Sequence, residues 1–75
     1  MSTDDKSDKV FKALSAAIRR SMLDVLKDRP QTTGALCAHF ATLDRCTVMQ
    51  HLNVLEEAEL VIVRRKGRER WNHLN

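Results

Sequence analysis

The stretch that decides the fold of this chain is residues 44–75, DRCTVMQHLNVLEEAELVIVRRKGRERWNHLN. In its first half, Val48, Leu52 and Leu55 are three or four positions apart, so they share one face of a helix. Asp44 stands just before them, and its carboxylate can accept a hydrogen bond from a free backbone N–H of the first turn. The pattern predicts an amphipathic helix that begins after Asp44 and buries one apolar stripe.

A β-hairpin is predicted directly after this helix. Residues 60–65 and 68–74 contain many strand-forming side chains and flank a predicted two-residue turn, Lys66-Gly67, in which glycine can take the positive φ that a tight turn requires. With a two-residue turn between these strands, Ile62 is expected opposite Trp71 on the core face. Five basic residues and one acid stand around the turn, so the tip of the hairpin is strongly cationic.

Helical segments also precede this stretch. Between residues 10 and 26, apolar residues recur at steps of three and four, the period of a core-facing helix. The pattern leaves open whether these residues form one helix or two, the second with Ser15 as its N-cap. The helical period ends at the chain's one proline, because the residue before a proline is disfavoured in helical space. A short helix capped by Thr32 or Thr33 is predicted next.

The predicted element order is helix, helix, helix and hairpin. It indicates one α+β domain over residues 8–75, a winged helix-turn-helix of three to four helices followed by a two-stranded hairpin wing. Residues 1–7 are polar and are predicted to be a flexible tail. A helix suited to the DNA major groove, beside a cationic ribbon, makes double-stranded DNA the predicted partner.

The composition argues against several classes of protein. The chain is 43% hydrophobic and 31% charged, which is typical of a folded domain rather than a disordered segment. No apolar run has the length of a membrane span, and the first residues lack the apolar segment of a signal peptide, so no membrane is expected. There is no nucleophile at motif spacing from a base and no phosphate-binding glycine loop. An enzyme, a cofactor and a small-molecule substrate are therefore not expected.

Four motifs occur together along the chain. They are LSxxxRRxxLxxL at residues 14–26, GxL at residues 34–36, TVxxHLxVLxxAxLV at residues 47–61 and RRxGRxRW at residues 64–71. In combination they resemble the ArsR-type family of winged-helix repressors. The resemblance implies a sequence-specific repressor that binds a palindromic operator as a homodimer, in a bacterial or archaeal cytoplasm. One departure is Glu59, which stands where the family usually has a helix-terminating glycine, so this turn is expected to close differently.

The outward face of the predicted recognition helix carries groups suited to base recognition. Gln50 and Asn53 can form paired hydrogen bonds with base edges, and residues near the helix N-terminus are those that reach bases. His51 lies at the edge of the apolar stripe, where packing or a phosphate contact is expected rather than a metal. The alternative is that this face and the charged tip are only solvated. The predicted DNA-binding residues are Arg45, Thr47, Gln50, His51, Asn53, Arg64, Arg65, Lys66, Arg68 and Arg70.

A metal- or thiol-responsive repressor of the same fold is one alternative function. Cys37 and Cys46 fall on separate predicted helices, which fits reduced thiols better than a disulfide. Many ArsR-type proteins sense metals through a Cys-x-Cys pair, and the resemblance places that pair near Thr32 and Gly34, which are not thiolates. Two ligands cannot complete a tetrahedral metal site, so no metal ligand is assigned.

A module for protein contact is the second alternative, with the basic wing docked on an acidic partner. Self-association is predicted as well, because Val10, Phe11 and Leu14 cluster at the start of the first helix and exceed what one core-facing side needs. These three residues are expected to form the dimer interface. Family members usually continue past the wing into a C-terminal helix. Either such a helix is missing from this sequence, or dimerisation rests mainly on the N-terminal helix.

Overall fold

Within residues 5–75, the computed structural model describes four helices and three strands. In chain order they are α1 (Asp5–Leu14), α2 (Ala17–Asp28), β1 (Gln31–Thr32), α3 (Thr33–His39), α4 (Arg45–Glu57), β2 (Val61–Lys66) and β3 (Glu69–Leu74). This order confirms the predicted α+β winged helix-turn-helix. No helix in this range is long and apolar enough to cross a membrane. The predicted tail, residues 1–7, lies partly outside the described residues, and positions 5 to 7 belong to α1.

The first two helices are separate, which answers the question that the sequence pattern leaves open. Ala16 has an extended backbone and is the N-cap of α2, without a side-chain cap hydrogen bond, so the predicted Ser15 cap is wrong. The Ser15 hydroxyl instead donates to the carbonyl of Lys12 at the end of α1, 2.7 Å away. The second helix ends at Asp28, two residues before Pro30, as the sequence predicts.

Two predicted caps are confirmed, and they fix where both helices of the helix-turn-helix begin. The Oγ1 of Thr32 accepts a hydrogen bond from the backbone N–H of Ala35 at 3.0 Å. The Oδ1 of Asp44 accepts one from the backbone N–H of Thr47 at 2.7 Å. Hydrogen bonds from Thr47 lower the pKa of Asp44, so this carboxylate carries the negative charge that suits a helix N-terminus. The first turn of α4 therefore begins at a defined residue, Arg45.

One small apolar core lies between the helices and the sheet. Val48, Leu52 and Leu55 are each 0% exposed, which confirms the predicted stripe of α4. The first helix contributes a single fully buried residue, so other contacts must hold it on the domain. The buried apolar residues of the described part of the chain are Ala13, Met22, Leu26, Leu36, Val48, Leu52, Leu55, Ala58 and Val61.

The sheet has three antiparallel strands with β3 in the middle. At one edge, β1 pairs Gln31 with Asn72 and Thr32 with Trp71. This strand was not predicted, because two residues are too few to show alternation. Asn72 is fully buried, and its Nδ2 donates to the carbonyl of Gln31 at 3.2 Å and to the Oγ1 of Thr33 at 3.1 Å. One side chain thus joins β1, α3 and β3 at the base of the hairpin.

The turn of the hairpin lies one residue later than predicted. Lys66 is opposite Glu69, so the two turn residues are Gly67 and Arg68. Gly67 has a φ of 60°, and it stands first in the turn. A two-residue hairpin turn with positive φ at its first position alone is of the type II′ kind, which requires glycine there.

This later turn moves Ile62 off the core and makes the predicted register wrong. Ile62 pairs with His73 rather than with Trp71, and it is 37% exposed. Val61 takes the buried position instead, at 2% exposed. Trp71 lies opposite Arg64. Since side chains alternate along a strand, Ile62, Arg64 and Trp71 share the face of the hairpin that points away from Val61.

The last turn of α4 closes through a left-handed residue, Glu59, with a φ of 61°. The N–H of Leu60 donates to the carbonyl of Leu55 at 3.0 Å, and the N–H of Glu59 donates to that of Glu56 at 2.9 Å. These are the two hydrogen bonds of a Schellman motif. The expectation that the turn closes differently without glycine is therefore wrong, because the glutamate itself adopts the conformation that glycine prefers.

Glu59→Gly is expected to raise the free energy of unfolding by about 1 kcal/mol, because glycine lacks the Cβ that is strained in the left-handed region. Urea unfolding followed by circular dichroism measures the change. Glu59→Ala is the matched control. It removes the exposed ion pair with Lys6, at 2.9 Å, but keeps a Cβ, so it should not stabilise the domain. An equal gain in both variants would contradict the backbone explanation.

Candidate nucleic-acid interface

The fourth helix turns its polar side chains away from the core. Cys46, Gln50 and Asn53 lie opposite the buried stripe and are exposed. Arg45 is exposed in the first turn, and Thr47 is half-buried beside it. The N-terminal half of α4 thus brings together, on one accessible face, the groups that the sequence predicts for base recognition. Their contact with DNA stays a prediction.

His51 lies at the edge of this face and is engaged inside the domain. Its Nδ1 is 3.0 Å from the Nη1 of Arg19. Because a guanidinium can only donate, Nδ1 is the acceptor, and the neutral ring carries its proton on Nε2. Burial lowers the pKa of His51, and the positive charge of Arg19 lowers it further. His51 therefore links α4 to α2, while its predicted contact with DNA stays a prediction.

Arg19 closes the end of α1 at the same time. Its Nε donates to the carbonyl of Ala13 at 2.8 Å, and its Nη2 donates to that of Lys12 at 2.8 Å. Arg20 donates to the carbonyl of Leu14 in the same way. The last carbonyls of a helix have no partner within it, and a cation suits this negative end. Sequence reasoning missed this role, since no local pattern indicates that Arg19 joins three helices.

The exposed basic residues of the wing lie on both of its faces. Arg64 and Lys66 share the face of Trp71, and the Nζ of Lys66 is 6.0 Å from the centroid of the indole ring, at the outer limit of a cation–π contact. Arg65 lies on the opposite face, and Arg68 is in the turn. All four basic side chains are exposed, so the tip presents positive charge to both sides.

Arg70 differs from the other basic residues of the wing because it has a partner on α4. Its Nη2 is 3.2 Å from the Oε1 of Glu56, and its side chain is 21% exposed. The ion pair partly neutralises Arg70 and ties the hairpin to the C-terminal half of the recognition helix. The sequence groups Arg70 with the other charges of the tip, and the structure gives it this additional, supporting contact.

Both cysteines are free thiols. Cys37 on α3 is half-buried, and Cys46 on α4 is exposed. Among residues 5–75, no group of three or more His, Cys, Asp or Glu side chains is placed to hold a metal ion. Cys37 and Cys46 lie on two different helices, and no disulfide joins them.

Comparison with other sequences identifies similar proteins over most of the chain. Residues 14–64 match a helix-turn-helix domain family. The chain is 39% identical, over 66 residues, to the transcriptional repressor SdpR of Bacillus subtilis, and this match covers 88% of the chain and 72% of SdpR.

Solved structures share the fold. The crystal structure of a possible transcriptional regulator for arsenical resistance is 37% identical, with a TM-score of 0.81, over 87% of this chain and 67% of the other. A homodimeric winged helix-turn-helix DNA-binding domain from Mycobacterium bovis, a possible ArsR-family transcriptional regulator, is 26% identical with a TM-score of 0.85. That likeness covers 93% of this chain and 64% of the other.

The stability of the domain is expected to fall as the pH is lowered below about 6.5, through the titration of His51. The pKa of His51 in the folded chain lies below the 6.5 of an unperturbed histidine, so the unfolded chain takes up the proton first. The contribution of neutral His51 is therefore complete above about pH 6.5 and is lost as the pH falls through the folded pKa. Urea unfolding at intervals between about pH 5 and 7.5 measures this slope.

His51→Gln should flatten the slope, because glutamine keeps a hydrogen-bond acceptor for Arg19 but does not titrate. The exposed His39 provides the matched control, and His39→Gln should keep the wild-type slope. If His51→Gln retains the full pH dependence, the link between His51 and Arg19 is not its origin.

Proposed function

Because the chain belongs to the ArsR-type family of winged helix-turn-helix transcriptional regulators, we propose that it represses transcription by binding a specific DNA sequence. One observation carries this proposal. The helix α4, capped by Asp44, exposes a polar face, and a wing with four exposed basic side chains follows it in the same domain. In this proposal α4 enters the major groove and the wing meets the neighbouring backbone. The proposed location of this activity is the bacterial or archaeal cytoplasm, where such a DNA sequence is accessible.

Base selectivity is assigned to the N-terminal half of α4. Gln50 and Asn53 carry amides that donate and accept, which matches the major-groove edge of adenine. Thr47 offers a hydroxyl and a methyl group, and Arg45 reaches a guanine or a phosphate from the first turn. His51 is held by Arg19 through Nδ1, so we propose that it keeps α4 in position and that its Nε2–H contacts a phosphate.

We assign the affinity for the DNA backbone to the wing. Cations placed against phosphates release counterions from DNA, so binding is strong at low salt and weakens steeply as salt is added. Arg70 is expected to contribute less to this affinity than the other basic residues of the wing, because it is paired with Glu56. The residues proposed to contact phosphates or the minor groove are Arg64, Arg65, Lys66, Arg68 and Arg70.

We propose that two copies of the chain bind one palindromic operator. The similar domain from Mycobacterium bovis is homodimeric, and a single recognition helix reads only a few base pairs. In this chain, α1 presents Phe11 at 72% exposed and Leu14 at 37% exposed. Val10 is half-buried beside them, and with Phe11, Lys6 and Ser7 it lines a shallow groove. These residues of α1 supply the proposed contact between the two copies.

Gln50→Ala is expected to weaken binding to the best operator by about 1–3 kcal/mol and to change which sequence is preferred, because alanine cannot form the paired hydrogen bonds to one base. Selection from a random DNA pool with the purified protein defines that operator, and fluorescence anisotropy measures the affinities. Binding to random DNA should change little. Equal losses on operator and random DNA would show that Gln50 does not read bases.

The wing provides the contrast for this measurement. Changing Arg65, Lys66 and Arg68 together to alanine should weaken binding to operator and random DNA alike. It should also flatten the salt dependence, by about 0.9 in slope for each phosphate that the variant no longer neutralises. Glu57→Gln, at an exposed position at the far end of α4, is the control that should leave the base preference unchanged.

Phe11→Ser is expected to reduce self-association, because it removes the most exposed large apolar side chain of α1. Analytical ultracentrifugation at rising protein concentration, alone and with a palindrome whose half-sites are roughly 34–36 Å apart, measures the assembly. Ile62→Ser removes an exposed apolar side chain from the wing and should leave self-association intact. A wild-type particle that keeps one protein per duplex on a palindrome would contradict the dimer.

A further inference from the structure

The helix-turn-helix and the wing meet at a cleft of about 220 Å³. Three arginines from three different places line this one space. Arg45 comes from the first turn of α4, Arg68 from the hairpin turn, and Arg70 from β3. The residues that line the cleft are Thr32, Thr33, Gly34, Arg45, Arg68, Glu69 and Arg70.

The positive charge of this cleft is poorly balanced within the domain. Among residues 5–75, neither Arg45 nor Arg68 forms an ion pair, and Glu69 is the one carboxylate that lines the cleft. Arg70 is paired with Glu56 through Nη2, but its Nε is buried and has no hydrogen-bond partner in the described part of the chain. A buried donor without a partner is unfavourable, and so is the mutual repulsion of neighbouring guanidinium groups. An anion in the cleft would relieve this repulsion.

A phosphate group fits this chemistry better than a carboxylate side chain. Its oxygens can accept hydrogen bonds from several directions, and guanidinium groups match phosphate with two parallel N–H donors each. Thr32 and Thr33 add neutral walls, and none of the lining residues has a large apolar side chain. On DNA, the backbone strand that borders the major groove passes between a helix inside the groove and a wing outside it.

We propose that this cleft binds one phosphodiester group of the DNA backbone, and that this contact sets the register of α4 along the operator. The inference rests on the proposed function, since it concerns how the same surface holds DNA. Arg45 belongs to the recognition helix and Arg68 to the wing, so a phosphate held between them fixes both elements relative to one backbone position. Arg70 is the positioning residue, because Glu56 holds it at the side of the cleft.

Chemical neutralisation of single phosphates tests the proposal. Methylphosphonate groups, which carry no charge, replace the phosphates of the selected operator one at a time. For the wild-type protein, one position in each half-site should lower the affinity by about tenfold or more, because the hydrogen bonds there no longer have a charged acceptor. In the double variant with Arg45→Gln and Arg68→Gln, the same replacement should lower the affinity by less than about twofold, because the side chains that bind that phosphate are already gone.

Arg64→Gln is the matched control, because Arg64 is an exposed arginine on the outer face of the hairpin and does not line the cleft. It should keep the wild-type sensitivity at that position. Circular dichroism confirms that each variant is folded. The cleft proposal would be wrong if the operator binds tightly but the loss of affinity at every methylphosphonate position is the same in wild type and in the Arg45 and Arg68 variant. It would also be wrong if Arg64→Gln reduces that loss equally. Either result would leave the proposed function standing. Failure to select any preferred sequence would overturn the proposed function itself.

Discussion

The guanidinium of Arg19 is the contact on which the arrangement of the domain depends. The first helix places one residue, Ala13, in the buried core, so apolar packing alone would hold it weakly. Arg19 compensates by donating to the last carbonyls of α1 and by binding His51 on α4. Arg19 thereby adds a polar link between the helix that carries the exposed Phe11 and the helix that carries Gln50, which also pack directly on each other. In the proposed dimer, the surface between the copies and the surface for DNA are joined at this residue.

The parts of the fold that form locally were predictable from the sequence. The buried stripe of α4, the Asp44 cap and the helix stop before the proline each depend on residues within a turn or two. Parts that depend on distant partners were not predictable. The strand of Gln31 and Thr32 exists because β3 offers a free edge, and two residues carry no pattern of their own. The hairpin register was missed for a related reason, since it is set jointly by the place of Gly67 in the turn and by the burial of Val61.

The candidate interface divides in the same way. Residue types and spacing were sufficient to place Gln50 on an accessible helix face and to concentrate basic residues at the tip of a hairpin. They could not distinguish a free charge from a paired one. Arg70 and Glu56 are 14 positions apart, and His51 and Arg19 are 32 positions apart, so both pairs exist only in the folded chain. Two residues that look like DNA contacts in the sequence are therefore also supports for the elements that carry the other contacts.

The base and the tip of the wing differ in how firmly they are held. Near the base, β3 has a strand on each side, and Asn72 and the ion pair between Arg70 and Glu56 fasten it to the helices. Beyond Arg70, toward the turn, the two strands of the hairpin pair only with each other among residues 5–75, and two-stranded ribbons twist readily and are marginally stable alone. The wing is therefore fixed to the domain at its base and less constrained at its tip. In the proposed complex with DNA, this tip adapts to a groove whose width varies with sequence while the recognition helix keeps its place.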